Sequence, residues 1–165
     1  MSAKRRVDVL VLTAIFGFGL APSLPAAQTT DGQAVDRGRY LVTIAGCNDC
    51  HTPGYLVSEG QSPEEFWLTG DSFGWRGPWG TTYPSNLRNL AQNLSEDQWV
   101  SLAKNLRARP PMPWFNLNRM KDGDLRAIYE YIRHLGPGGR AAPAHVPPDK
   151  EPSPPYALFP PPPPQ

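Results

Sequence analysis

Cys47 and Cys50 are the only cysteines of this chain, and His51 follows the second directly. That cluster constrains the fold more than any other feature. Between its two ends the chain has about a hundred residues with folding signals, and a domain of that size buries a limited core. Exported domains this small commonly depend on disulfides, a metal or a cofactor. Two cysteines allow at most one disulfide, across a tight loop, so something else is expected to organise the interior.

The ends lie outside the core. Lys4, Arg5 and Arg6 precede a mostly apolar run over 7–20, followed by small residues and prolines up to Ala27. A charged start, a short apolar centre and a small-residue end predict a secretory signal peptide over 1–27. The run is short for a membrane span and Asp8 interrupts it, so no transmembrane span is expected after cleavage. At the other end, more than half of the 21 prolines fall after Gly136. Proline fixes φ and lacks an N–H, so 137–165 is expected to be an extended tail, a surface strap or a spacer. The folded unit is then 28–136.

Three chemistries compete for "CNDCH". A thioredoxin-like redox pair belongs at a helix start after a strand, within a βαβ pattern that this sequence lacks. Structural zinc needs four ligands. Beyond the motif only His134 and His145 are plausible donors, one at a helix end and one among prolines. Covalent haem suits the spacing. Two thiols one helical turn apart reach the two vinyl groups along one side of a porphyrin, and the next residue offers its imidazole to the iron. Export agrees, because this haem is attached outside the cytoplasm. One haem c on Cys47 and Cys50, with His51 as proximal ligand, is therefore expected.

A six-coordinate iron needs a second ligand, usually methionine or histidine. With Met1 in the signal, Met112 and Met120 remain. Met112 lies in "RPPMPW", on a loop stiffened by Pro110, Pro111 and Pro113, which lowers the entropy lost on ordering it. Met120, just before a helix, reads as a hydrophobic staple. Met112 is the favoured ligand.

Periodicity predicts an all-α unit. In "QAVDRGRYLVTIAGC", Leu41, Ile44 and Ala45 share a helical face, with Gly38 one turn before. "SPEEFWL" offers Ser62 as N-cap, Pro63 at the first helical position and Glu65 to close a capping box. "LSEDQWVSLAKNLRA" repeats the pattern with Ser95 and Gln98, with Leu94 as staple and Trp99, Leu102 and Leu106 as inner stripe. "DGDLRAIYEYIRHLG" turns Leu125, Ile128, Tyr129, Ile132 and Leu135 inward and ends at Gly136. The Gly- and aromatic-rich "TGDSFGWRGPWGTTYPSNL" reads as a loop. Trp75 and Trp79 are expected to line the haem edge, with a Trp N–H or Arg76 meeting a propionate. The Pro78 carbonyl is expected to accept from the free ring nitrogen of His51.

The segments "RGRYLVTIAGCNDCHT", "GPWGTTYPSNL", "LSEDQWVSLAKNLRARPPMPWF" and "DLRAIYEYIRHLG" resemble, in order, a class I c-type cytochrome. More narrowly, the chain is similar to the single-haem modules in cytochrome c subunits of bacterial membrane-bound alcohol, aldehyde and gluconate dehydrogenases. The resemblance implies a small helical domain around one haem c on Cys47 and Cys50, with His51 and Met112 as the axial pair. It also implies that the first helix crosses the last near Gly38 and Tyr131. One module where such subunits often carry several, a Trp-rich loop and a proline tail are departures from the pattern.

The expected role is a periplasmic electron carrier and not an enzyme, soluble or peripherally bound to the membrane. It would shuttle electrons between a dehydrogenase and the respiratory chain. The alternative is an open-site haem protein, a peroxidase or small-gas sensor, in which Met112 does not hold the iron. The partner is expected to be a dehydrogenase or terminal oxidase, with no nucleic acid involved. Loss of the signal removes three of the 16 bases and one of the 15 acids, so net charge stays near zero. Lys104, Arg107, Arg109, Arg119 and Lys121 nevertheless flank Met112, so a haem edge opening on that side would steer an acidic partner.

Overall fold

A computed structural model of the chain describes residues 30–160. The signal peptide expected over 1–27 and the last five residues lie outside this range. Helix α1 (Thr30–Ile44) runs into a left-handed turn at Gly46 (φ 70°) and then into the five-residue helix α2 (Cys47–His51). A long loop follows, containing one 3-10 turn (Glu64–Phe66), and leads to strands β1 (Gly74–Gly77) and β2 (Gly80–Thr82). Then come α3 (Leu87–Gln92), α4 (Glu96–Asn105), α5 (Trp114–Arg119) and α6 (Asp122–Leu135). The chain after α6 returns across the molecule and adds β3 (Tyr156–Leu158).

Helix α1 packs across α6 at Gly38, where a Cβ would come within 2.6 Å of the Tyr131 Cβ. The helix-weakening glycine thus has a packing reason. Leu41 and Val42 are the buried apolar side chains among the described residues of α1, whereas Ile44 is 60% exposed. The chain leaves the helix at that point for the Gly46 turn, so the expected inward position of Ile44 is lost. From α6, Leu125, Ile128, Tyr129 and Ile132 enter the core as expected, joined by Ala127 and Tyr131. Leu135 packs on its edge and Gly136 ends the helix with φ 69°.

Helix α4 begins with the expected capping box. The Ser95 hydroxyl accepts from Gln98 N, and the Gln98 side chain accepts from Ser95 N at 2.8 Å. Such a cap contributes about 1 kcal/mol. Trp99 anchors the helix, its Nε1 donating to the Leu125 carbonyl at 3.1 Å. Val100 and Ala103 complete its buried face, and Leu102 remains 39% exposed.

"SPEEFWL" forms only the 3-10 turn. Ser62 makes no cap, because its hydroxyl faces Ser58 Oγ (3.0 Å) and the Pro53 carbonyl. Its last apolar residues act as a plug instead. Trp67 and Leu68 are buried, with Trp67 edge-on to Tyr55 and Tyr131.

The helical core comes with a small three-stranded sheet, in the order β2-β1-β3, that an all-α reading does not include. β1 pairs antiparallel with β2 and parallel with β3, with Trp75 opposite Thr82 and Ala157. Strands of three or four residues are too short to show alternation in sequence. The third is contributed from the proline-rich tail, where a ladder is least expected. The tail lies along the Trp loop. Val146 exchanges two backbone bonds with Thr81 (2.8 and 3.0 Å), and Phe159 N donates to Arg76 O at 2.7 Å. A Cβ at Gly80 would fall 2.2 Å from the Val146 carbonyl, so that glycine admits the tail.

Candidate functional site

Helix α2 is one turn long, and its spacing places Cys47, Cys50 and His51 on adjoining positions of one face. Both cysteines are free and half-buried. Burial, with Asp49 adding to it, pushes the Cys47 thiol up to about 11, and the same causes raise Cys50. Both are therefore protonated thiols at neutral pH. A redox pair is marked by a depressed value, so the thioredoxin-like reading loses support. Nor do the described residues gather three or more His, Cys, Asp or Glu into a metal site, which leaves the zinc reading without ligands.

His51 is 8% exposed, and its Nδ1 lies 2.7 Å from the carbonyl oxygen of Ser85. A carbonyl only accepts, so Nδ1 carries the proton and Nε2 keeps its lone pair. Burial lowers the imidazole pKa, partly offset by the Ser85 bond, which keeps the ring neutral. Nε2 has no hydrogen-bond partner among the described residues. The site thus presents two tethering thiols and one oriented, unprotonated imidazole nitrogen, a donor set that fits haem c. The orienting carbonyl belongs to Ser85 and not to Pro78. Backbone fixes it: Gly70 N donates to His51 O (2.8 Å), Asp71 N to Pro84 O (3.1 Å) and Leu87 N to Leu68 O (3.0 Å). Gly70 has φ 78° and no room for a Cβ, which would sit 2.8 Å from Asn86 N. Next to His51 in sequence, buried Thr52 donates to Asn48 Oδ1 (2.8 Å) and accepts from Leu68 N (2.8 Å).

Met112 is half-buried on the loop between α4 and α5, and its carbonyl accepts from Trp114 N. Thr82 Oγ1 holds that loop by donating to Pro110 O at 2.7 Å. Ser85, three residues further along the same segment, holds His51. Three residues of chain span at most about 11 Å. One short segment therefore fastens both the Met112 loop and the His51 ring. Met120 packs against the hydrophobic core, as a staple does.

Of the aromatic loop, Trp79 Nε1 is buried without a hydrogen-bond partner among the described residues. A buried orphan N–H is a costly feature unless another group accepts from it. Arg76, expected as an alternative donor, is turned to the tail: Nη1 donates to Lys150 O (2.9 Å) and Nη2 pairs with Glu151 (3.1 Å). His145 is fastened in the tail with Nε2 2.9 Å from Trp79 O, and His134 is exposed at the end of α6.

Two polar residues escaped the sequence reading. Asn86 caps α3, and its Nδ2 donates to Gly138 O (2.7 Å) and Arg140 O (3.1 Å). Arg88, 7% exposed, donates to the carbonyls of Glu65 (2.7 Å), Gly136 (2.6 Å) and Leu135. Only an asparagine placed like an N-cap before "LRNL" hinted at the first. Nothing local marks the second, because its partners lie in distant segments. Among the described residues no helix is long and apolar enough to cross a membrane.

Compared with curated proteins, the chain is 28% identical over 142 residues to the fructose dehydrogenase cytochrome subunit of Gluconobacter japonicus, covering 80% of this chain and 27% of that protein. It is 30% identical over 118 residues to the cytochrome c subunit of alcohol dehydrogenase (quinone) of Gluconobacter oxydans (strain 621H), covering 66% of this chain and 23% of that one. The chain spans about a quarter of the length of these relatives. No family model and no solved structure matches. Both relatives are cytochrome subunits of dehydrogenases, in agreement with an electron carrier rather than an enzyme. In sequence, the chain is thus similar to cytochrome subunits of bacterial dehydrogenases.

Proposed function

We propose that this chain is an exported, periplasmic electron-transfer protein. It carries one haem c on Cys47 and Cys50 and passes electrons between a dehydrogenase and the respiratory chain. The observation that carries the reading is the arrangement on α2: two free thiols beside an imidazole whose Nδ1–H donates a hydrogen bond to Ser85 O. When bound, the haem supplies one-electron redox chemistry at its iron.

The chain supplies the rest. His51 would hold the iron through Nε2, with its ring angle set by the Ser85 carbonyl and its basicity raised by that bond. Met112 would hold it through its thioether, from the loop held by Thr82, and a methionine–histidine pair favours a higher potential. Trp79 offers its unpartnered N–H to a propionate. Trp114 and Phe115 follow Met112 in the chain and pair edge-to-face at 5.7 Å. Arg109 and Lys121 are exposed near this loop and would favour an acidic partner face.

Expression of Cys50→Ser and His51→Ala in a host that attaches haem c tests the assignment. Neither variant should give the normal holoprotein, while the parent chain shows a covalently bound haem. A parent chain that folds cooperatively without haem overturns the reading. A high-spin ferric spectrum in the parent chain would favour an open-site peroxidase or sensor.

A further inference from the structure

The chain beyond α6 meets the segment that orients His51 at Asn86. Asn86 directly follows Ser85, whose carbonyl accepts from His51. It is 7% exposed and its side chain is saturated in three directions. Oδ1 accepts from Asn89 N at 2.9 Å, capping α3, and Nδ2 donates to Gly138 O at 2.7 Å and to Arg140 O at 3.1 Å. The tail is shaped for this contact. Gly139 sits between the two accepting carbonyls with φ 68°, and a Cβ there would fall 2.7 Å from Thr69 Cβ and 3.2 Å from Asn86 Nδ2. Neither the left-handed backbone nor the space tolerates a side chain. A cap alone would need only Oδ1, and serine serves that purpose equally well. The two Nδ2 bonds are what an asparagine adds, and both go to the segment after α6.

We propose that Asn86 is a positioning residue for the His51 imidazole. By binding the Gly138–Arg140 turn, it holds the Ser85 carbonyl against Nδ1, so that the tail governs the orientation and electron donation of the proximal ligand. The inference rests on the haem reading above. It extends that reading, because it gives the chain after the helical domain a part in tuning the site.

The test uses the reduced holoprotein and follows solvent exchange of the His51 ring N–H by proton NMR, together with the midpoint potential. Asn86→Ser keeps the cap and removes both tail bonds. Gly139→Ala disturbs the same contact from the tail side. Both are expected to speed ring N–H exchange by up to about tenfold, the ratio that the loss of one ordinary hydrogen bond corresponds to, and to shift the potential in the same direction as each other. Leu94→Ala, at the α4 staple, is expected to lower the melting temperature without changing exchange. Unchanged exchange in Asn86→Ser, or an equal rise in Leu94→Ala, overturns the proposal while leaving the haem assignment intact. A parent chain that folds without covalently bound haem overturns the haem reading and this inference with it.

Discussion

A Cβ placed on Gly38 of α1 would lie 2.0 Å from the carbonyl oxygen of Ala127 on α6. The two backbones therefore meet without side chains between them, and Gly38→Ala sets two effects against each other. Alanine gains about 1 kcal/mol of helix propensity. The clash is with backbone, which cannot swing away as a flexible side chain does, and overpacking of this kind costs about 1–3 kcal/mol or more. The clash should win, and Gly38→Ala should lower the denaturation midpoint. A midpoint equal to or above that of the parent would show that the helices can separate freely.

The two methionines should behave differently. Met112→Ala should lower the potential, abolish the far-red thioether–iron band and let the ferrous protein bind carbon monoxide. Met120, packed on the core, should tolerate Leu with less than about 1.5 kcal/mol of destabilisation, because the swap conserves volume. Absorption spectra of the two variants decide the matter, and the reverse pattern would transfer the ligand role to Met120.

Glu64 ties α1 to α6: Arg39 Nε donates to it at 2.7 Å and Tyr131 Oη at 2.5 Å. The bond from Arg39, ahead of that from Tyr131, holds the carboxyl below its usual value, although burial opposes this. A carboxylate with a depressed folded value stabilises fully above its unfolded pKa, about 4.3, and loses that contribution as pH falls toward the folded value. Glu64 is partly exposed, so the contribution is small, below about 1 kcal/mol. Chemical denaturation of Glu64→Gln against the parent should show a gap at pH 6 that narrows below about pH 4. A gap independent of pH would mean the carboxylate charge contributes nothing.

Phe159 joins the tail to both tryptophans, with centroid distances of 6.2 Å to Trp75 and 6.0 Å to Trp79. Each aromatic pair is worth about 0.5–1.5 kcal/mol beyond burial. Phe159→Ser should therefore cost about 1–2 kcal/mol, since the ring is partly exposed and the strand bonds remain. It should also raise the protease sensitivity of the segment after Arg140. Unchanged cleavage would show that the backbone ladder alone holds the tail.

Much of the molecule follows from local sequence. The capping box at Ser95, the inward face of α6, the stop at Gly136 and the "CNDCH" turn each depend on residues within four or five positions of one another, so propensity, capping and periodicity suffice to read them. The close approach at Gly38 was legible as a glycine in need of a reason. What the tertiary structure alone decided involves partners distant in sequence. Ser62 found Ser58 instead of a helix to cap. Ser85, not Pro78, reached His51, because the loop between Gly70 and Asn86 is held by backbone bonds that leave no residue pattern. Three-residue strands carry no periodicity, and β3 pairs with a segment some eighty residues earlier. Asn86 and Arg88 are spent on carbonyls at the far end of α6 and in the tail. A carbonyl belongs to every residue, so which one accepts is set by packing and not by amino-acid identity.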